Sequence, residues 1–153
     1  AYLDLRRDDR VADLFSGVGN FTLPIARRAE FVTGFEGAAA LVARGINNAQ
    51  RNAQGNVRFV CTDLGEPESV AKLDLKTTTK LLLDPPRLGA TAIVSSSVLG
   101  PIERIVYVSC NPTTFARDAS ILVRDQGFRL IETGILDMFP QTAHFESISL
   151  FER

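Results

Sequence analysis

Seven short apolar runs, most of them separated by helix-like segments, set the narrowest limit on the fold. The runs are residues 11–15, 31–35, 57–61, 80–83, 104–109, 128–136 and 147–151. Segments 21–29 and 38–54 carry apolar residues at helical spacing, and Gly55 supplies a stop for the second. Segment 66–72 reads as a short helix, and 91–99 takes a helix by position although its Ser and Val content suits one poorly. Segment 113–126 opens after Pro112 and closes at Gly127, a strong helix signature. Such alternation predicts an α/β domain with a parallel sheet and helices on both faces. The alternation fails at the end. Residues 137–145 hold Pro140 and read as a loop, so the last two runs join without a crossover helix and the final strand must be antiparallel. Seven strands with an antiparallel last one fit a class I methyltransferase core better than a dehydrogenase domain. The stretch 76–80, KTTTK, reads as a surface turn.

At 153 residues the chain is one domain's worth, and 45% hydrophobic residues suffice for a real core. No apolar stretch approaches a membrane span, and the first ten residues lack the apolar centre of a signal peptide. Two isolated cysteines, Cys61 and Cys110, with one histidine, give neither a disulfide framework nor a metal set, which fits a reducing cytoplasm. Seventeen basic against 18 acidic residues is not the balance of a stand-alone nucleic-acid binder. The chain opens on a strand without an initiating methionine and is expected to be a piece of a longer protein.

The chemistry-bearing residues gather at the predicted strand ends, where open α/β sheets bind ligands. After the first strand comes Phe15-Ser16-Gly17-Val18-Gly19-Asn20, a glycine loop leading into a helix. The dinucleotide pattern GxGxxG is incomplete, because Thr22 holds the third position. Glu36 ends the second strand about twenty residues on, the spacing at which a carboxylate accepts ribose hydroxyls of either NAD or S-adenosylmethionine (AdoMet). Asp63 follows the third strand and can meet an adenine amino group. The fourth ends in Leu83-Asp84-Pro85-Pro86-Arg87, whose paired prolines impose a stiff exit. Strand five delivers Cys110 in the run Val108-Ser109-Cys110-Asn111-Pro112, beside a helix start that favours a thiolate. Cys61 reads as core filler or a strand-end residue. His144 and Glu146 stand at the entry to the final strand, where a carboxylate in a partly dry cleft can serve as a general base.

The segments DLFSGVGNFTLPIA, GFEG, LLLDPPRLGA, IVYVSCNPTTFARD and LDMFPQTAHFESISLFER span nearly the whole chain. In this order they resemble the catalytic domain of the AdoMet-dependent RNA (uracil-5-)methyltransferases, and more the enzymes of 23S ribosomal RNA than those of tRNA. The resemblance implies that Cys110 adds to C6 of a uracil, that C5 then takes a methyl group from AdoMet, and that Glu146 removes the C5 proton. It implies AdoMet contacts at Phe15, Gly17, Gly19, Asn20, Glu36, Asp63 and Asp84, and substrate contacts at Arg87, Asn111 and His144. It further implies an OB-type RNA-binding domain elsewhere in the protein, with residues 1–153 as the catalytic domain, no metal and no iron–sulfur cysteines in this stretch. The competing expectations are a tRNA or cytosine-5 methyltransferase, an NAD-dependent dehydrogenase, and a non-catalytic AdoMet-binding domain.

Overall fold

The structure is a computed structural model and describes residues 2–136 and 146–153. Seven strands form one sheet: β1 (Arg10–Leu14), β2 (Phe31–Glu36), β3 (Val57–Cys61), β4 (Lys80–Leu83), β5 (Arg104–Ser109), β6 (Arg129–Leu136) and β7 (Glu146–Glu152). Their order is β3-β2-β1-β4-β5-β7-β6. The pairs among β1 to β5 are parallel, and β7 lies antiparallel between β5 and β6. This is the doubly wound, Rossmann-like class I architecture expected from the sequence, and the order reverses at β1 and β4.

The near-continuous apolar runs follow from burial on both sides. Leu81 and Leu83 of β4, with Ile105 and Tyr107 of β5, face one layer, formed by the helices α3 (Pro67–Val70), α4 (Thr91–Val94) and α5 (Pro112–Arg124). Leu82, Val106 and Val108 face the other, shared with Ile25 and Ala26 of α1 (Thr22–Ala26). The amphipathic α2 (Ala39–Arg51) packs Val42 and Ala49 against Phe59 of β3. Among the described residues no helix is long and apolar enough to cross a membrane.

The strands lie within a residue of expectation, but several helices are shorter. α1 stops at Ala26 instead of 29, because Asn56, distant in sequence, donates its side-chain amide to the carbonyls of Ala26 and Ala29 at 2.8 and 3.1 Å and turns the chain early. α2 ends at Arg51, with Ala53 rather than Gly55 taking the left-handed turn at φ +52°. Segment 91–99 divides into α4 and a 3-10 turn, Ser97–Leu99, capped by the Ser96 hydroxyl. The 76–80 stretch is less superficial than expected. Thr78 is buried, and Lys80 pairs at 2.7 Å with Asp9.

Candidate active site

The glycine loop is shaped by backbone rather than by bulk. Phe15 sits at φ +67°, Gly17 at +55° and Gly19 at +91°. A bulky residue at positive φ is costly and persists only where its surroundings hold it. Here the Ser16 N–H donates to the Phe35 carbonyl at 3.0 Å, and the Gly17 N–H donates to Glu36 Oε2 at 3.1 Å. Glu36 Oε1 accepts the Ala38 N–H at 2.9 Å. The Glu36 carboxylate thus ties the loop to the end of β2, and each oxygen keeps a further lone pair for a ligand hydroxyl. Phe15, Glu36 and Asp63 line one cleft of about 410 Å³, closed on the far side by Pro86, Leu88 and Ala90. Asp63 is exposed, and its Oδ1 accepts the Gly65 N–H at 2.9 Å. Asn20 is exposed at the mouth of α1 and is not among the residues lining that cleft.

Gly19 has a second duty that the motif does not reveal. The Phe59 ring lies against three glycines from three elements. A Cβ would stand 2.9 Å from the ring at Gly19, 3.0 Å at Gly34 and 2.7 Å at Gly45. The ring therefore gauges the spacing between the glycine loop, β2 and α2.

Four carboxylates run along the strand ends: Glu36, Asp13, Asp84 and Glu146. Asp13 is buried, and its Oδ2 accepts from Thr22 Oγ1 at 2.6 Å. Its Oδ1 and the neighbouring Ser16 Oγ are buried with no hydrogen-bond partner among the described residues. Burial pushes the Asp13 carboxyl up to about 7; the Thr22 bond opposes this, and the charges of Asp84 and Glu36 add to it. Asp84, half-buried beyond β4, is pushed up to about 6 by burial and then by the Glu146 charge. A buried and a half-buried acid gathered with two further carboxylates in a sheltered crevice make a site that favours a cationic ligand. The sequence signal for Asp13 was an acid inside an otherwise apolar strand, and its partner Thr22 occupies the position of the missing third glycine.

The nucleophile candidate lies at the opposite side of the crevice. β5 and β7 pair in a register that sets Ser109 opposite Ser147. One residue beyond on each strand stand Cys110, which is exposed, and Glu146, which is half-buried. Cys61 is also exposed, at the end of β3, with Sγ 3.5 Å from the Gly37 carbonyl oxygen, so it is a strand-end residue and not core filler. Asn111 caps α5, its Oδ1 accepting the Thr113 N–H at 3.0 Å, while its Nδ2 donates to the Arg87 carbonyl at 3.0 Å. Both ends of this amide are engaged within the chain, and Arg87 is held at its backbone beside the thiol-bearing turn. His144 lies outside the described residues.

Residues 3–153 match the family model described as tRNA (Uracil-5-)-methyltransferase. The chain is 55% identical over 151 residues to the 23S rRNA (uracil(1939)-C(5))-methyltransferase RlmD of Methylococcus capsulatus, covering 99% of this chain and 34% of that protein. It is 54% identical to the protein of the same name from Xanthomonas oryzae, covering 100% and 34%. The chain therefore spans about a third of the length of these curated relatives. Among solved structures, the tRNA (uracil-54, C5)-methyltransferase of Pyrococcus abyssi in complex with S-adenosyl-L-homocysteine superposes with a TM-score of 0.78 at 31% identity, over 97% of this chain and 35% of that one. An rRNA methylase from Streptococcus thermophilus gives 0.73 at 14% identity, over 97% and 89%, a likeness of fold alone. Fold and crevice define a class I methyltransferase domain. The chain belongs to the tRNA (uracil-5-)-methyltransferase family.

Proposed function

We propose that residues 1–153 form the catalytic domain of an enzyme that methylates C5 of a uridine in RNA, with 23S ribosomal RNA favoured over tRNA. The observation that carries this reading is the β5–β7 register, which sets Cys110 and Glu146 on adjacent strand ends, with the Glu146 charge acting on Asp84. The higher identity to the relatives named for 23S rRNA, against 31% for the solved tRNA enzyme, supports the ribosomal substrate.

The residues present fit AdoMet, which carries a sulfonium and an ammonium group. Asp13 Oδ1 and Ser16 Oγ are buried polar atoms without partners among the described residues, and the carboxylate row suits a cation. In this reading Glu36 holds the ribose hydroxyls, Asp63 the adenine amino group and Asp84 the ammonium end. Phe15, Gly17, Gly19 and Asn20 shape the nucleoside side. When bound, AdoMet supplies an electrophilic methyl group. Uracil C5 is too weak a nucleophile to take that group directly, so the Cys110 thiolate first adds to C6, forming the S–C6 bond and moving the C5–C6 π pair towards C5 and O4. Once C5 bears the methyl group it still carries one hydrogen. Glu146 takes that proton, the electrons restore the C5–C6 double bond, and Cys110 leaves as the thiolate. Arg87, Asn111 through its hold on Arg87, and His144 orient the base, which must leave its stack to reach the thiol. Relatives about three times as long leave room for the RNA-binding domain, and a ribosomal RNA substrate fits the cytoplasm.

The test is incubation of the full-length protein and labelled AdoMet with ribosomal RNA and tRNA that lack the modification, followed by mapping of 5-methyluridine. RNA bearing 5-fluorouracil should form a stable adduct on Cys110, because fluorine at C5 cannot be removed as a proton. Product that is 5-methylcytidine, or an adduct on another residue, sinks the reading.

A further inference from the structure

One face of α5 is a polar rail. Asn111, Thr114, Arg117 and Asp118 recur at helical spacing, so their side chains stack in a row. Along that row lies the backbone that follows β4. Asn111 Nδ2 and Thr114 Oγ1 each donate to the Arg87 carbonyl at 3.0 Å. Arg117 Nη2 donates to the Leu88 carbonyl at 2.9 Å. Asp118 Oδ2 accepts the Ala90 N–H at 2.6 Å, and Oδ1 accepts from Thr91 Oγ1 at 3.3 Å. Gly89, at φ +79°, lets the loop approach so closely: a Cβ there would stand 2.5 Å from Arg117 Nη2 and 2.6 Å from Asp118 Oδ2.

Asp118 also reaches the sheet. Its Oδ2 accepts the Tyr107 O–H at 2.7 Å, three residues before Cys110. The residue is fully buried, and Arg117 answers its charge from Nε at 2.9 Å and Nη2 at 2.8 Å. A buried carboxylate survives only when its lone pairs are taken up. Here the donors converge from strand, loop and helix. An asparagine could not replace it, since it offers one acceptor oxygen and brings two N–H groups of its own. The loop so held forms a wall of the cleft assigned above to the methyl donor, through Pro86, Leu88, Gly89 and Ala90. The strand so held ends at the thiol.

We propose that Asp118 is a positioning residue: it holds the 86–91 wall of the donor cleft in register with Cys110, and governs methyl transfer without touching either substrate. This rests on the function proposed above. Misplacement of a reacting group by about 1 Å costs on the order of 100-fold in rate. In the full-length protein, Asp118→Asn is therefore expected to lower kcat by about 10- to 100-fold and to raise the KM for AdoMet several-fold. Gly89→Ala retains the Asp118 carboxylate but forces the loop and α5 apart, and should reproduce that pattern even if Asp118→Asn fails to fold. Ile102→Val, a core change before β5, serves as the control for lost stability and should leave kcat per folded molecule within twofold. Amide exchange at Ala90 should quicken in the first two variants only. The inference is overturned if the wild type transfers methyl groups while folded Asp118→Asn or Gly89→Ala matches its kcat and AdoMet KM within twofold. A wild type that leaves RNA unmethylated refutes the functional reading instead. AdoMet affinity by calorimetry and Ala90 exchange then decide this proposal, and values unchanged in both variants refute it.

Discussion

Ser147 Oγ donates to the Ser109 carbonyl at 3.3 Å, binding the last paired residues of β5 and β7 to each other just inside the crevice. The bond is buried, so it resists competition from water. It also fixes how far apart the next two residues, Cys110 and Glu146, emerge.

That juxtaposition predicts two different failures. Cys110→Ala should abolish methylation and adduct formation together. Glu146→Gln should abolish release but keep addition, so a covalent RNA adduct carrying the methyl group should accumulate. Denaturing gels and mass spectrometry of both variants check this; a Glu146→Gln enzyme that turns over freely would show that the base lies elsewhere.

The buried acid at Asp13 predicts an unusual pH profile. Its folded pKa is raised from 3.8 to about 7, so the folded chain holds this proton more tightly than the unfolded chain. Below pH 3.8 the carboxyl is protonated in both states and costs nothing. Stability should then fall as pH rises through the window up to about 7 and level off above it, with Asp84 adding to the fall up to about 6. Asp13→Asn should be the more stable protein at pH 8, by up to about 4 kcal/mol at roughly 1.4 kcal/mol per pKa unit, and nearly equal to wild type at pH 4. Urea unfolding of both proteins across this range is the measurement, and parallel curves would contradict the assignment. The same variant should bind AdoMet several-fold more weakly.

Phe59 and its three glycines give a third expectation. Ala is ordinarily worth about 1 kcal/mol more than Gly inside a helix. At Gly45 the added methyl would meet the ring at 2.7 Å, and overpacking of that kind costs about 1–3 kcal/mol. Gly45→Ala is therefore expected to destabilise. Phe59→Leu combined with it should recover part of the loss, and strict additivity of the two changes in thermal unfolding would show that the contact is not shared.

Near-neutral charge predicts that the 153-residue chain alone grips RNA weakly and with a shallow dependence on salt. A gel-shift with a target RNA measures it, and nanomolar affinity at physiological salt would refute the need for a separate RNA-binding domain.

The central strands β1, β4 and β5 were legible because they are buried on both faces and so read as apolar runs, whereas β6 is exposed along most of its length. The helix ends were not, because their stops come from afar: the amide that turns the chain after α1 belongs to Asn56, and nothing near Ala26 announces it. The same division holds at the site. The strand-end positions of Glu36, Asp84 and Cys110 could be read from the sequence, since each ends or directly follows an apolar run. Asp118, inside a helix, looks like any surface acid, and Phe59 looks like any core residue. Their meaning lies in partners thirty or forty positions away, the loop at 87–91 for one and Gly19 for the other.

The sheet order has one more consequence. Phe15 and Asp63 follow β1 and β3 and Glu36 ends β2, whereas Cys110 follows β5 and Glu146 opens β7, and within the sheet the two groups of strands meet only where β1 pairs with β4. That seam does not part the proposed donor site from the proposed acceptor site: Asp84 and the 86–90 wall of the cleft lie on the β4 side of it, with the strands that carry Cys110 and Glu146. A chimera spliced there would exchange one wall of the cleft together with the thiol, so the two halves of the sheet have to be inherited as a matched pair.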